Sequence, residues 1–173
     1  MKYAISLIVV AGAVFTGNLE GQSCSATSGA PCTVTNTASA TVTELVRLTL
    51  SAPTTDLGNP SEADFLAGQR DAAGPTATVV ANRPWVVSVV GNTGAFTCAG
   101  AGCNGTKTAA DLKWEVNGAG GSFANNMSTP SDLASGNATS GTSAQIMYRT
   151  LWSVANDTPG TYSLVVNFTL SAP

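Results

Sequence analysis

At 173 residues the chain has room for one domain plus an export segment, and only 10% of it is charged, far below the ~25% of ordinary soluble domains. Its seven Lys and Arg are scattered without a cluster under a formal charge of −3, which excludes an electrostatic footprint for nucleic acid or for an anionic membrane. Histidine is absent, so the commonest general base, the commonest metal ligand and every His-based triad are excluded too.

Residues 1–22 read as a signal peptide. Lys2 precedes an apolar run from Tyr3 to Phe15, interrupted only by Ser6 and Gly12. That run suits the hydrophobic region of an export signal and falls short of the ~20 residues that span a bilayer. An uncleaved anchor is the alternative. Cys24 follows Gly21-Gln22-Ser23, which is not a lipoprotein box. Residues 23–173 then form a single β-sandwich domain.

The four cysteines, Cys24, Cys32, Cys98 and Cys103, allow three pairings. Proximity favours Cys24–Cys32 and Cys98–Cys103, each closing a small loop, and an oxidising compartment outside the cytoplasm. Without a histidine, a zinc site at these spacings is the poorer reading.

Beyond residue 22 no long helical periodicity occurs; short apolar alternations are separated by Gly, Pro, Asn and Ser. Residues 32–50 are rich in Thr and Val and end on the alternation Val46, Leu48, Leu50. Residues 61–72 predict a short helix capped by Ser61, or an irregular crossing. "TATVVAN" predicts a strand after Gly74-Pro75. "PWVVSVVG" predicts a central strand, with Trp85, Val87 and Val89 on one face and Val86, Ser88 and Val90 on the other.

"DLKWEVNG" alternates Leu112, Trp114 and Val116 inward with Lys113 and Glu115 outward. Residues 117–143 predict one long surface loop of low complexity. "AQIMYRTLWSV" sets Ile146, Tyr148 and Trp152 on one face. After the turn "NDTPG", one last strand runs from Tyr162 to Leu170 with every second residue apolar. The fold class expected is all-β: an immunoglobulin-like antiparallel β-sandwich of about seven or eight strands.

Candidates for chemistry are few. Lys107 or Lys113 could pair with a serine, but Lys113 falls on an exposed strand face, and no enzyme is expected. Asp56, Glu62, Asp64 and Asp71 share one region and are the only calcium candidates; a solvated, turn-capping loop is preferred for them. Trp85, Trp114, Trp152, Tyr162 and Phe168 are expected as core anchors rather than a sugar-stacking platform. Arg83 and Arg149 read as strand-end or cation–π partners. The triplets Asn104-Gly105-Thr106 and Asn137-Ala138-Thr139 arise by chance in a chain so rich in Asn and Thr. No catalytic residue, metal or cofactor is assigned.

Two stretches carry a resemblance. "CTVTNTASATV" behind an export signal resembles the opening of exported bacterial domains of the spore-coat-protein-U type. "TPGTYSLVVNFTL" resembles the closing strand of those domains and of fimbrial subunits. The middle of the chain departs, lacking the aromatic-Gly block expected after the first strand. The resemblance implies an immunoglobulin-like sandwich, a non-catalytic role and assembly by strand exchange.

The expectation is therefore an exported structural or interaction protein of the bacterial cell envelope: a surface, coat or filament subunit, periplasmic, cell-surface or extracellular. Protein partners are expected, through self-assembly or a larger envelope complex. Nucleic acid is not, and membrane contact would come only through a retained N-terminal segment. The alternatives are an accessory periplasmic subunit of a membrane-bound electron-transfer or photosynthetic complex, and a carbohydrate- or calcium-binding module. Residues 33–43 are the candidate shared strand, since Val34, Ala38, Ala40 and Val42 fall on one face.

Overall fold

The computed structural model describes Cys24, Ser25, Gly29, residues 31–103 and residues 106–173. The signal-peptide reading of residues 1–22 and the residues Asn104 and Gly105 lie outside the described residues. The chain divides into two units, residues 1–42 and residues 43–173. In the first, Cys24 and Cys32 form a disulfide with their Cα atoms 5.9 Å apart. Residues 31–42 form neither helix nor strand and are exposed throughout.

The second unit is an all-β sandwich whose sheets are antiparallel. Its strands are β1 (Val46–Leu50), β2 (Gln69–Ala81), β3 (Trp85–Gly91), β4 (Thr97–Ala99), β5 (Leu112–Val116), β6 (Asn125–Asn126), β7 (Ser131–Gly136), β8 (Thr139–Leu151), β9 (Thr161–Ser163) and β10 (Val166–Ser171). Among the described residues the count is ten, against the seven or eight expected, because β4, β6 and β9 are two or three residues long and leave little periodicity to read.

A five-stranded sheet runs β1-β2-β8-β5-β6, a three-stranded sheet runs β10-β3-β7, and β4 pairs with β9. The core lies between the two larger sheets. Ala77, Val79 and Ala81 of β2, Trp114 of β5 and Ile146 of β8 meet Trp85, Val87 and Val89 of β3 in one buried cluster. Period-2 alternation puts these side chains on one face of each strand, and each fully buried Val or Ile contributes about 1.5–3 kcal/mol. β3 is the middle strand of its sheet.

The α-helix α1 (Glu62–Ala67), the one α-helix among the described residues, follows from its caps. The Ser61 side chain accepts from the Asp64 N–H, the Asp64 carboxylate accepts from the Ser61 N–H, and Gly68 ends the helix at φ 71°. The predicted "TATVVAN" strand is the second half of a longer one. β2 passes through Gly74-Pro75 as a bulge, where its register with β8 shifts between Ala73 and Thr76. Proline cannot donate to the ladder, so a bulge is where it fits. At Gly74 a Cβ would sit 2.5 Å from Ile146 Cγ2 and from Tyr148 Cε2, so only glycine passes there.

Four further expectations are corrected. Residues 32–50 yield strand only at Val46–Leu50. Residues 117–143 are not one loop, since they hold β6, β7 and the start of β8, and β7 pairs with β3. Glu115 does not face solvent; it is buried at 8% exposure, for a reason given below. The terminal strand is two strands: β9 pairs with β4, β10 pairs with β3, and the pairing lapses at Leu164 and Val165.

Candidate binding cleft

β1 and β10 are edge strands of opposite sheets, each hydrogen-bonded on one side only. Their inward residues are therefore incompletely covered. Leu48 and Leu50 of β1, and Val166, Phe168 and Leu170 of β10, are only half-buried against the core, whereas Val87 and Val89 of the neighbouring β3 are fully buried. Between these edges lies a cleft of about 490 Å³. One wall is Leu50 and the loop of residues 52–60; the other is residues 160–166 and Phe168. Leu112, Tyr148 and Thr150 form the floor, and Phe96, Trp152 and Tyr162 add aromatic surface. Burial pushes the Tyr148 phenol well above its usual range, so it stays neutral.

The strands that flank the cleft are pinned together at their other ends. Arg83 donates to Glu44 Oε2 at 2.7 Å, just before β1, and to the carbonyl of Pro173, just after β10. Arg83 is thus a strand-end partner of both edges.

Behind the cleft is a smaller polar cavity of about 280 Å³, lined by Thr106, Lys107, Asp111, Asp157 and the loop between them. Lys107 is 3% exposed. Its Nζ reaches Asp157 Oδ1 and Oδ2 at 3.1 and 3.2 Å, donates to the Leu151 carbonyl, and lies 4.0 Å from the Trp152 ring centre. The buried amine is thus held by the Asp157 carboxylate, the Leu151 carbonyl and the indole face. Lys107 is therefore the cation of a structural cage; its Nζ is spent on these partners rather than on a serine. Trp152 does not stand within its strand: β8 ends at Leu151, and the half-buried indole packs against Phe65 and Tyr162 at 5.9 and 6.0 Å.

The four carboxylates weighed for calcium, against the preferred solvated, turn-capping loop, are spread over separate local contacts. Asp56 accepts from the Gly58 N–H at 2.8 Å. Asp64 caps α1 and pairs with Arg70 at 3.0 Å; its hydrogen bonds to Ser61, reinforced by Arg70, lower its pKa. Asp71 holds Arg149 through two hydrogen bonds of 2.6 and 2.7 Å, and Glu62 sits in the first turn of α1. Among the described residues no group of three or more His, Cys, Asp or Glu could hold a metal ion.

Elsewhere, Trp85 and Trp114 are 2% and 1% exposed in the core, and Tyr162 and Phe168 are half-buried on the cleft wall. Cys98 and Cys103 form the second disulfide, with Cα atoms 5.9 Å apart. The Asn137 carbonyl accepts from Trp85 Nε1 at 2.8 Å. Lys113 is half-buried beside Arg149 and Asn126 in the sheet. Glu115 is the residue that alternation misplaced. Its carboxylate turns back to accept from the N–H groups of Gly121 (3.0 Å) and Phe123 (3.3 Å), and Arg149 stacks over the Phe123 ring at 3.9 Å.

No helix among the described residues is long and apolar enough to cross a membrane. No protein-family model matches the chain, and no curated protein matches it significantly. A chain from the structure of a chaperone-usher pilus aligns with 83% of this chain and 100% of its own length, at 17% identity and a TM-score of 0.41. At that score the likeness carries no argument. What the fold and cleft define by themselves is an antiparallel β-sandwich, disulfide-bonded, with a cleft of mixed polar and apolar lining beside the Leu50 end of β1 and the Val166 end of β10.

Proposed function

We propose that the protein is an exported, non-catalytic structural subunit that assembles with copies of itself, the residue 33–43 segment of one copy lying in the cleft of the next. The observation that carries this reading is the open cleft: two strand edges, each paired on one side only, beside a space of about 490 Å³ into which the half-buried Leu50, Val166 and Phe168 face. An extended strand fits such a cleft because its backbone pairs with the free edges while alternate side chains enter the space.

The residue 33–43 segment has the chemistry for this. It includes no Lys, Arg, Asp or Glu and offers Val34, Ala38, Ala40 and Val42 on one face, with Asn36 among them. Val34 and Val42 are 51% and 84% exposed. Two disulfides, the sparse charge and the signal-like N-terminus support an exported, oxidising location at the cell envelope or surface.

Size-exclusion chromatography with light scattering, and unheated gels, test the proposal. The protein without residues 1–22 should form a concentration-dependent ladder of species. Deleting residues 23–42, which removes Cys24 and Cys32 together with the segment, should collapse the ladder to monomer, and a synthetic 33–43 peptide should then bind the deleted form. A full-length protein that stays monomeric at high concentration, with no peptide binding, would overturn the reading.

A further inference from the structure

We propose that Lys107 is a positioning residue that sets the closed end of the cleft, holding Trp152 as a partition and so limiting the length of strand the cleft accepts. This rests on the strand-accepting reading above. Trp152 lines both the cleft of about 490 Å³ and the polar cavity of about 280 Å³ behind it, and its ring stands between Tyr162, which lines the first, and Lys107, which lines the second.

Little else fixes that ring. Trp152 stands beyond the end of β8, where no ladder holds it, and its one backbone bond runs to the Gly68 carbonyl at 2.9 Å. Its Nε1 is buried and bonds to no protein atom, so no hydrogen bond sets the rotation of the ring. The ring is held by packing against Phe65 and Tyr162 and by the ammonium on its face. The ammonium is in turn fixed by Asp157, whose Oδ2 also accepts from the Ser153 N–H at 2.7 Å. Asp157 therefore gathers Lys107 and the backbone next to Trp152 around one carboxylate. Remove the charge, and the ring is free to swing into the polar cavity, which joins the two spaces into a longer groove.

The test uses the protein lacking residues 1–42 and its Lys107→Met and Asp157→Asn variants, each checked for folding by circular dichroism. The Trp152 signal is isolated as the difference from Trp152→Phe, and its acrylamide quenching is measured. Binding of synthetic peptides is measured in parallel, starting from residues 33–42 and lengthened at either end. The folded variants should show Trp152 quenched about threefold more readily, and peptides lengthened at one end should gain about tenfold in relative affinity over wild type.

If the wild-type cleft binds no peptide, the assembly reading fails while the quenching comparison still tests the partition. Folded variants with unchanged quenching and unchanged length preference overturn the inference. Loss of folding in both variants would assign the pair to stability alone and overturn it as well.

Discussion

Replacing Trp114 by alanine tests whether the two sheets share the core described above. Trp114 is 1% exposed and belongs to the cluster that joins both sheets. A tryptophan of ~250 Å² at ~25 cal/mol per Å² gives an upper bound of ~6 kcal/mol. A compact denatured state lowers that by roughly 10–40%, and the cavity left behind adds to it. The indole N–H, buried and bonded to no protein atom, offsets about 1–3 kcal/mol, because its loss removes an unmet donor. The expected net cost is about 3–5 kcal/mol, the usual range for a large core truncation.

Urea denaturation followed by far-ultraviolet circular dichroism reads this directly. At a slope of about 1.5 kcal/mol/M the midpoint should fall by roughly 2–3 M. Trp114→Phe, which keeps most of the ring and discards the unmet donor, should cost less than half as much. A midpoint shift below about 1 M at unchanged slope would refute the burial argument. Equal losses in both variants would refute the argument about the N–H.

Two other outcomes follow from single contacts. Gly160→Ala places a Cβ 2.5 Å from Cys103 Sγ and 3.0 Å from the Ala99 carbonyl, so melting should show a loss of about 1–3 kcal/mol that shrinks once reductant frees the thiol; a neutral melt would contradict the packing. Tyr148 has its pKa raised by burial, so the folded state holds its proton more tightly than the unfolded state does. Its contribution is fully present below pH ~10 and is lost above it at about 1.4 kcal/mol per pH unit. Tyr148→Phe should flatten the alkaline limb of a melting-temperature profile between pH 9 and 11.5, and an unchanged limb would refute that assignment.

What could be read from the sequence was what local alternation encodes. Trp85, Val87 and Val89 declared a buried face because a seven-residue strand repeats its period often enough to show it. Ser61 offered a helix start, with an irregular crossing as the alternative, and the helix is the outcome because Ser61 and Asp64 complete a capping box within four residues. The misses come from partners far along the chain. The unbroken alternation from Tyr162 to Leu170 hides a change of partner, because β4 and β3 hold different ends of it.

β7 hid inside "SDLASG", whose small polar residues read as loop and are strand because β3 offers a ladder. Glu115 looked solvated since nothing local shows that N–H groups six and eight residues on will fold back to it. For the cleft, the apolar faces of β1 and β10 were legible, but not that both would be edges. Lys107 was visible only as an unattached amine, since Leu151 and Asp157 are 44 and 50 residues away.

The Arg83 clasp has a topological consequence. One guanidinium touches Glu44, where the sandwich begins, and Pro173, after its last strand. The sandwich is therefore close to a closed loop of chain. Joining those two points by a short linker and cutting the chain at an exposed turn, such as Asn156, would give a circular permutant that keeps every strand pairing. In that rearranged chain β1 and β10 become sequence neighbours, and the cleft between them changes from a gap between distant segments to the two sides of a single hairpin-like connection.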